Sequence, residues 1–158
     1  MGDHVVSDVL DYLSKSGNNA RPLDTKAAET YEQNSKAGWW HDLADVQDAI
    51  EDYFHNYPDV ASELSRKVEG WFLATKIALI HSEVSEMLEG LRRGNSDDHL
   101  PHFSTEQVEA IDVLIRMFDY CGRQNIPIDK IMAEKEAYNA DRQDHKPKNR
   151  IRKGGKLF

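Results

Sequence analysis

Trp71 to Arg93 reads WFLATKIALIHSEVSEMLEGLRR, and how this stretch is read decides the fold. At 100° per residue, Leu73, Ile77, Ile80, Val84, Leu88 and Leu91 fall on one apolar stripe, the pattern of a long helix facing a core. Phe72, Leu79 and Met87 define a second apolar sector, into which Glu83 and Glu86 project as neighbours at i and i+3. Ionised groups facing a buried side are costly unless paired or metal-bound, so this helix requires a cation.

A second stretch, STEQVEAIDVLIRMFDYCGR from Ser104 to Arg123, carries a matching set. Ser104 and Gln107 predict a capping box, and Val108, Ile111, Leu114, Ile115, Phe118 and Cys121 predict the apolar stripe of another helix. Glu109 and Asp112 stand beside that stripe, with Arg116 and Asp119 continuing the same polar edge. Packed together, the two helices would gather Glu83, Glu86, Glu109 and Asp112 around one site, an all-oxygen donor set suited to Mg²⁺ or Mn²⁺ rather than zinc. The spacing does not establish the site alone, because Asp8/Asp11, Glu29/Glu32, Asp42/Asp45 and Asp45/Asp48 repeat it. Asp112 and Arg116 also fit a simple ion pair along one helix, and Glu89, near Arg92 and Arg93, has the pattern of a solvated carboxylate.

The pattern E-x-x-E at 83 and 86, followed by E-x-x-D at 109 and 112, resembles the signature of the MazG-type all-α nucleoside triphosphate pyrophosphatases. The runs KIALIHSEVSEMLEGLRRG, DDHLPH, VEAIDVLIRMFDYCGR and EKEAYNADRQDHKPKNRIRKGGKLF extend the resemblance over about Lys76 to Phe158. One departure is that Ser82 takes the leading position of the family's frequent E-E-x-x-E. The resemblance implies an all-α, MazG-like helical bundle completed by dimerisation, as a homodimer or a tetramer built of two dimers. It implies hydrolysis of a (deoxy)nucleoside triphosphate to monophosphate and pyrophosphate with Mg²⁺, or Mn²⁺, as cofactor. Water attacks the α-phosphorus in that reaction, and Glu83 or Glu86 would be the catalytic base. Lys135, Asn139 and Arg142 match the family's K-x-x-x-N-x-x-R, and Lys156 its terminal GGK, which implies contacts to the nucleotide. Trp39 and Trp40 have two readings, core or interface filler and a wall that stacks on a nucleobase; Trp40 is the candidate for the second.

At 158 residues, with 39% hydrophobic and 30% charged side chains, the chain suits one soluble helical domain spanning 1–158. No apolar run approaches the roughly 18 residues of a membrane span, and the start, MGDHVVSDVLDYLSK, is acidic and amphipathic, unlike a signal peptide. The single cysteine, Cys121, excludes an intramolecular disulfide and fits a reducing cytoplasm. Charge is divided unevenly. Residues 142 to 158 hold seven of the 20 Lys and Arg and one acid, for +6, against −14 for the rest of the chain. The body repels nucleic acid, and the tail attracts phosphate.

Val5, Val6, Val9, Leu10 and Leu13 predict a first helix from about Asp3 to Lys15. Residues 24 to 37 are compatible with a helix but carry few apolar side chains and read as a loosely held connection, so 1–37 forms a peripheral helical region. Trp39, Trp40, Leu43, Val46, Ile50, Tyr53 and Phe54 predict a helix stopping near Tyr57-Pro58. Asp59 is the expected cap of a helix starting at Val60, which either runs through Gly70 or bends there. Asp97, Asp98, His99 and His102 lack a second His/Cys cluster to complete a tetrahedral set. Ile128, Ile131, Met132 and Tyr138 predict a last helix ending near Asp141, before the basic tail of 142–158. Neither G-x-x-x-x-G-K nor G-x-G-x-x-G occurs. The competing functions are a dUTP-specific or phosphoribosyl-ATP pyrophosphohydrolase of the same fold, and a non-catalytic acidic helical protein with a basic docking tail.

Overall fold

In the computed structural model the described residues, 22 to 142, form five helices: α1 Pro22–Lys36, α2 His41–Tyr53, α3 Pro58–Arg93, α4 Thr105–Arg123 and α5 Ile128–Asp141. The fold class is all-α, and among the described residues strand-like pairing is confined to one antiparallel bridge between Ser96 and Ser104. The helix expected at Asp3 to Lys15 and the tail with Lys156 lie outside the described residues.

α3 runs through Gly70 without a break, and it starts at Pro58 rather than after an Asp59 cap. Proline suits this first turn, where its missing N–H has no intrahelical partner, and Asp59 instead places a negative charge near the positive end of the helix. At the other end Gly94, at φ 63°, adopts the left-handed conformation and donates its N–H to the Gly90 carbonyl. α4 has the expected capping box: Ser104 Oγ accepts from the Gln107 N–H, and Gln107 Oε1 accepts from the Ser104 N–H at 3.0 Å.

α3 and α4 form an antiparallel hairpin. Glu69 meets Arg123, Lys76 meets Asp119, Glu83 meets Arg116, and Gly90 meets Thr105, so position advances along one helix as it recedes along the other. At the closed end a Cβ on Gly90 would stand 2.7 Å from the Glu106 backbone nitrogen, so only glycine permits this approach.

The stretch 24–37 is not a loose connection. Within α1, Ala27, Ala28, Thr30 and Tyr31 are buried, and Ala27 and Tyr31 lie directly against Gly122 of α4. Small residues on both sides let the two backbones close together, which compensates for the scarcity of large apolar side chains. After a turn at Gly38 (φ 92°), Trp40 and Leu43 join Tyr31 in the core, with Val68, Phe72 and Leu73 of α3 packed against them. The Trp40 ring meets Tyr31 edge-on at 5.6 Å and Phe72 at 5.5 Å. α1 and α5 are joined at their starts. Asp129 Oδ2 accepts from the N–H groups of Leu23 and Asp24, and Asp24 Oδ1 accepts from the Asp129 N–H, so each helix start is capped by the other's carboxylate.

The long stripe on α3 is only partly a core face. The helix is about 54 Å long at 1.5 Å per residue, and α2 covers its N-terminal part alone. Farther along, Ile77 is 52% exposed, Val84 41%, Leu88 55% and Leu91 59%, and on α4 Ile111 and Leu114 are 54% and 49% exposed. This apolar surface is open in the single chain. Cys121 is buried as expected, which raises its thiol pKa.

Candidate metal centre

Midway along the hairpin, the turn of α3 bearing Glu83 and Glu86 lies against the first half of α4. Glu83 is buried, Glu86 exposed and Glu109 half-buried, and each offers a carboxylate oxygen within 4.8 Å of the other two. Such an arrangement concentrates negative charge. Burial pushes the Glu109 carboxyl up to about 7; the charge of Glu86 adds to this, as do hydrogen bonding to Glu83 and its charge. A donor set of carboxylate oxygens without nitrogen or sulfur, short of positive charge, fits a hard divalent cation.

Asp112 is not part of this trio. It lies near enough for the Glu83 charge to raise its pKa after burial has done so, while Arg116 opposes both, but its oxygens are outside the group that comes within 4.8 Å. The expected set of four is thus a trio with a neighbour. Nor is Asp112 the ion-pair partner seen for Arg116: the guanidinium crosses the hairpin, its Nη2 2.6 Å from Glu83 Oε1. Glu89 does behave as a solvated carboxylate, pairing with Arg93 at 2.8 Å and Arg92 at 3.7 Å.

One turn beyond Arg116 on α4 lies a second polar network. Trp40 is in the core, 5% exposed, and its indole N–H donates to Asp119 Oδ1 at 3.0 Å. Lys76 Nζ lies 3.7 Å from Asp119 Oδ2, donates to the Trp39 carbonyl at 3.0 Å and stands 4.3 Å from the Trp40 ring centroid. Burial lowers the Lys76 pKa and the Arg116 charge lowers it further, while Asp119 opposes both. The signal was in the spacing: Lys76 is two turns before Glu83, and Asp119 two turns after Asp112. Trp40 is therefore no open wall for a base. Trp39 is the exposed ring of the two, at 43%, and the Arg116 guanidinium carbon lies 5.6 Å from its centroid.

The other candidate nucleotide contacts stand apart from the trio. Lys135 and Arg142 lie over Tyr138, at 4.8 Å and 5.9 Å from its ring centroid; Lys135, Tyr138 and Asn139 are on α5, which is joined to α1, and Arg142 follows its end. In the loop after α3, Asp97 Oδ1 accepts from the N–H groups of His99 and Leu100, which makes this acid a turn former. Near the closed end of the hairpin, a groove of about 390 Å³ is lined mainly by apolar side chains, among them Val84, Leu88 and Leu91, with His81 and Glu106 at its edge. No helix among the described residues is long and apolar enough to cross a membrane. No known protein family, curated protein or solved structure matches the chain.

Proposed function

We propose that the protein is a divalent-metal-dependent nucleoside triphosphate pyrophosphohydrolase, releasing a monophosphate and pyrophosphate. The observation that carries this reading is the trio Glu83, Glu86 and Glu109, three oxygen donors converging across the hairpin with too little positive charge around them. These three residues would hold Mg²⁺ or Mn²⁺, with Asp112 beside them. The bound ion would supply charge neutralisation for the triphosphate and a lowered pKa for an attacking water. Of the two candidate bases, Glu86 is the better suited, because it is open to solvent whereas Glu83 is buried and held by Arg116. Its carboxylate would take the proton as the water oxygen bonds to the α-phosphorus and the bond from that phosphorus to the bridging oxygen breaks, releasing pyrophosphate. Trp39 replaces Trp40 as the aromatic surface for the base, being exposed beside Arg116.

The resemblance to MazG-type enzymes is what implies the substrate class, and it favours a homodimer. The exposed apolar side chains Leu88 and Leu91 on α3 and Ile111 and Leu114 on α4 are the surface we assign to a second copy, since they are uncovered on the two helices that build the site.

The deciding experiment incubates the protein with a panel of ribo- and deoxynucleoside triphosphates and Mg²⁺ and resolves the products. Pyrophosphate and monophosphate from at least one nucleotide, abolished by EDTA, are expected. Diphosphate with inorganic phosphate, or no turnover across the panel, would overturn the reading.

A further inference from the structure

Glu83 already has a counter-ion. Arg116 Nη2 stands 2.6 Å from its Oε1, and only 8% of the Glu83 side chain and 27% of the Arg116 side chain are exposed. A divalent ion gathered by Glu83, Glu86 and Glu109 must share or take that carboxylate, and two cations on one carboxyl group repel. One guanidinium does not balance the charge here, since Glu86, Glu109 and Asp112 surround the same carboxylate. Arg116 also has a second surface to rest on, the Trp39 ring 5.6 Å away, which is itself 43% exposed. Its planar fork binds carboxylate and phosphate oxygens with the same two-pronged geometry, so the side chain that leaves Glu83 is suited to receive a phosphate.

We propose, resting on the pyrophosphohydrolase reading, that Arg116 is a resident counter-ion of the metal centre: it holds Glu83 while no metal is bound, gives that carboxylate up to the divalent ion, and then clamps the substrate's phosphate while still lying along Trp39. A guanidinium placed this way keeps the metal-free protein folded with a buried glutamate, and it makes phosphate binding follow metal binding.

The test is Mn²⁺ binding by isothermal titration calorimetry to the full chain, without nucleotide, in the wild type, Arg116→Gln and Arg116→Lys. Loss of a cation in contact with a metal ligand is expected to tighten Mn²⁺ binding about tenfold in Arg116→Gln. Arg116→Lys keeps a charge but loses the fork, and is expected to tighten it about threefold. Both variants should raise KM for the triphosphate although they bind metal better. Should Arg116→Gln fail to fold because Glu83 is left unpaired, the lysine variant carries the comparison. Unchanged or weakened Mn²⁺ binding in the variants, with normal binding by the wild type, overturns the role of Arg116 alone. No Mn²⁺ binding by the wild type overturns this role and the metal-dependent reading together.

Discussion

Trp40 Nε1 donates a 3.0 Å hydrogen bond to Oδ1 of Asp119, and the Lys76 ammonium lies 3.7 Å from the other oxygen of the same carboxylate. The indole thus helps hold a buried acid that in turn pairs with a half-buried amine. Removing the acid takes the counter-charge from a half-buried amine that keeps its bond to the Trp39 carbonyl, which costs about 1–3 kcal/mol. Asp119→Ala is expected to lose stability in that range by urea denaturation, because Lys76 then stands among Trp40, Phe72 and the like-charged Arg116. Trp40→Phe, which keeps a ring but removes the N–H, should cost about 1–3 kcal/mol. A loss below about 1 kcal/mol in Asp119→Ala would show that the pair does not hold the core together.

Glu109 makes stability depend on both pH and metal. Its carboxyl is raised from 4.5 to about 7 in the fold. Between these values the unfolded chain carries the charge while the folded chain keeps the proton, so the contribution of this group is greatest below pH 4.5 and is lost as pH rises through about 7. A divalent ion requires the ionised form and reverses this loss. At 100 times the dissociation constant it adds about 2.7 kcal/mol, worth several degrees in Tm. The Mg²⁺-induced rise in Tm over an EDTA control should therefore be larger at pH 8 than at pH 5.5. Equal shifts at the two pH values would remove Glu109 from the metal's donors, and superimposable melts at both would remove the site.

How much was legible in the sequence depended on whether the signal was local. The capping box of Ser104 and Gln107, the burial of Cys121 and the surface pairing of Glu89 are set by residues within a turn or two, and the pattern announces them. Arg116 has a partner in reach on its own helix, Asp112, but pairs across the hairpin with Glu83, a choice that packing makes. Trp39 and Trp40 lie in the turn before α2, where one ring is buried and the other exposed, and adjacent tryptophans do not say which. The tight docking of α1 is not legible because its buried face is Ala27, Ala28 and Thr30 beside Tyr31, stabilised by close approach to Gly122 rather than by large apolar side chains. The stripe from Ile77 to Leu91 has the periodicity of a core face and yet is open, because periodicity reports an apolar face, whatever covers it.

Gly122 and Gly70 provide a matched pair of tests for that close approach. A Cβ on Gly122 would collide with the Ala27 carbonyl oxygen and stand 2.7 Å from Tyr31 Cβ, and both belong to parts of α1 that cannot swing aside. Gly122→Ala should destabilise by about 1–3 kcal/mol, by forcing α1 and α4 apart. A Cβ on Gly70 meets nothing within 4 Å, and the residue is in the middle of a helix, so Gly70→Ala should stabilise by about 0.5–1 kcal/mol. Denaturant midpoints of the two variants moving the same way would contradict the packing described for α1.

Leu88 and Leu91 are 55% and 59% exposed in the single chain, so charging them should disturb association more than folding. The double variant Leu88→Asp, Leu91→Asp is expected to keep its helical circular dichroism and to sediment as a monomer where the wild type sediments as a dimer or larger. A wild type that is monomeric at micromolar concentration would refute the assignment of this face to a second copy.

The final prediction separates the trio from its neighbour. Glu109→Gln keeps volume and helix register while removing a charge from the three oxygens that converge within 4.8 Å, so on the proposed function pyrophosphate release should fall by at least about 100-fold with circular dichroism unchanged. Asp112 lies outside that group and acts through the Glu83 charge, so Asp112→Asn should be milder and should change the metal concentration needed more than the maximal rate. Glu89→Gln, which loses only exposed pairs with Arg92 and Arg93, should leave turnover near that of the wild type. If Asp112→Asn is as damaging as Glu109→Gln, Asp112 moves into the donor set when metal binds, and the hairpin must close further around the ion. If all three variants retain full turnover, the chemistry is elsewhere, and the trio is an acidic surface that Arg116 partly neutralises.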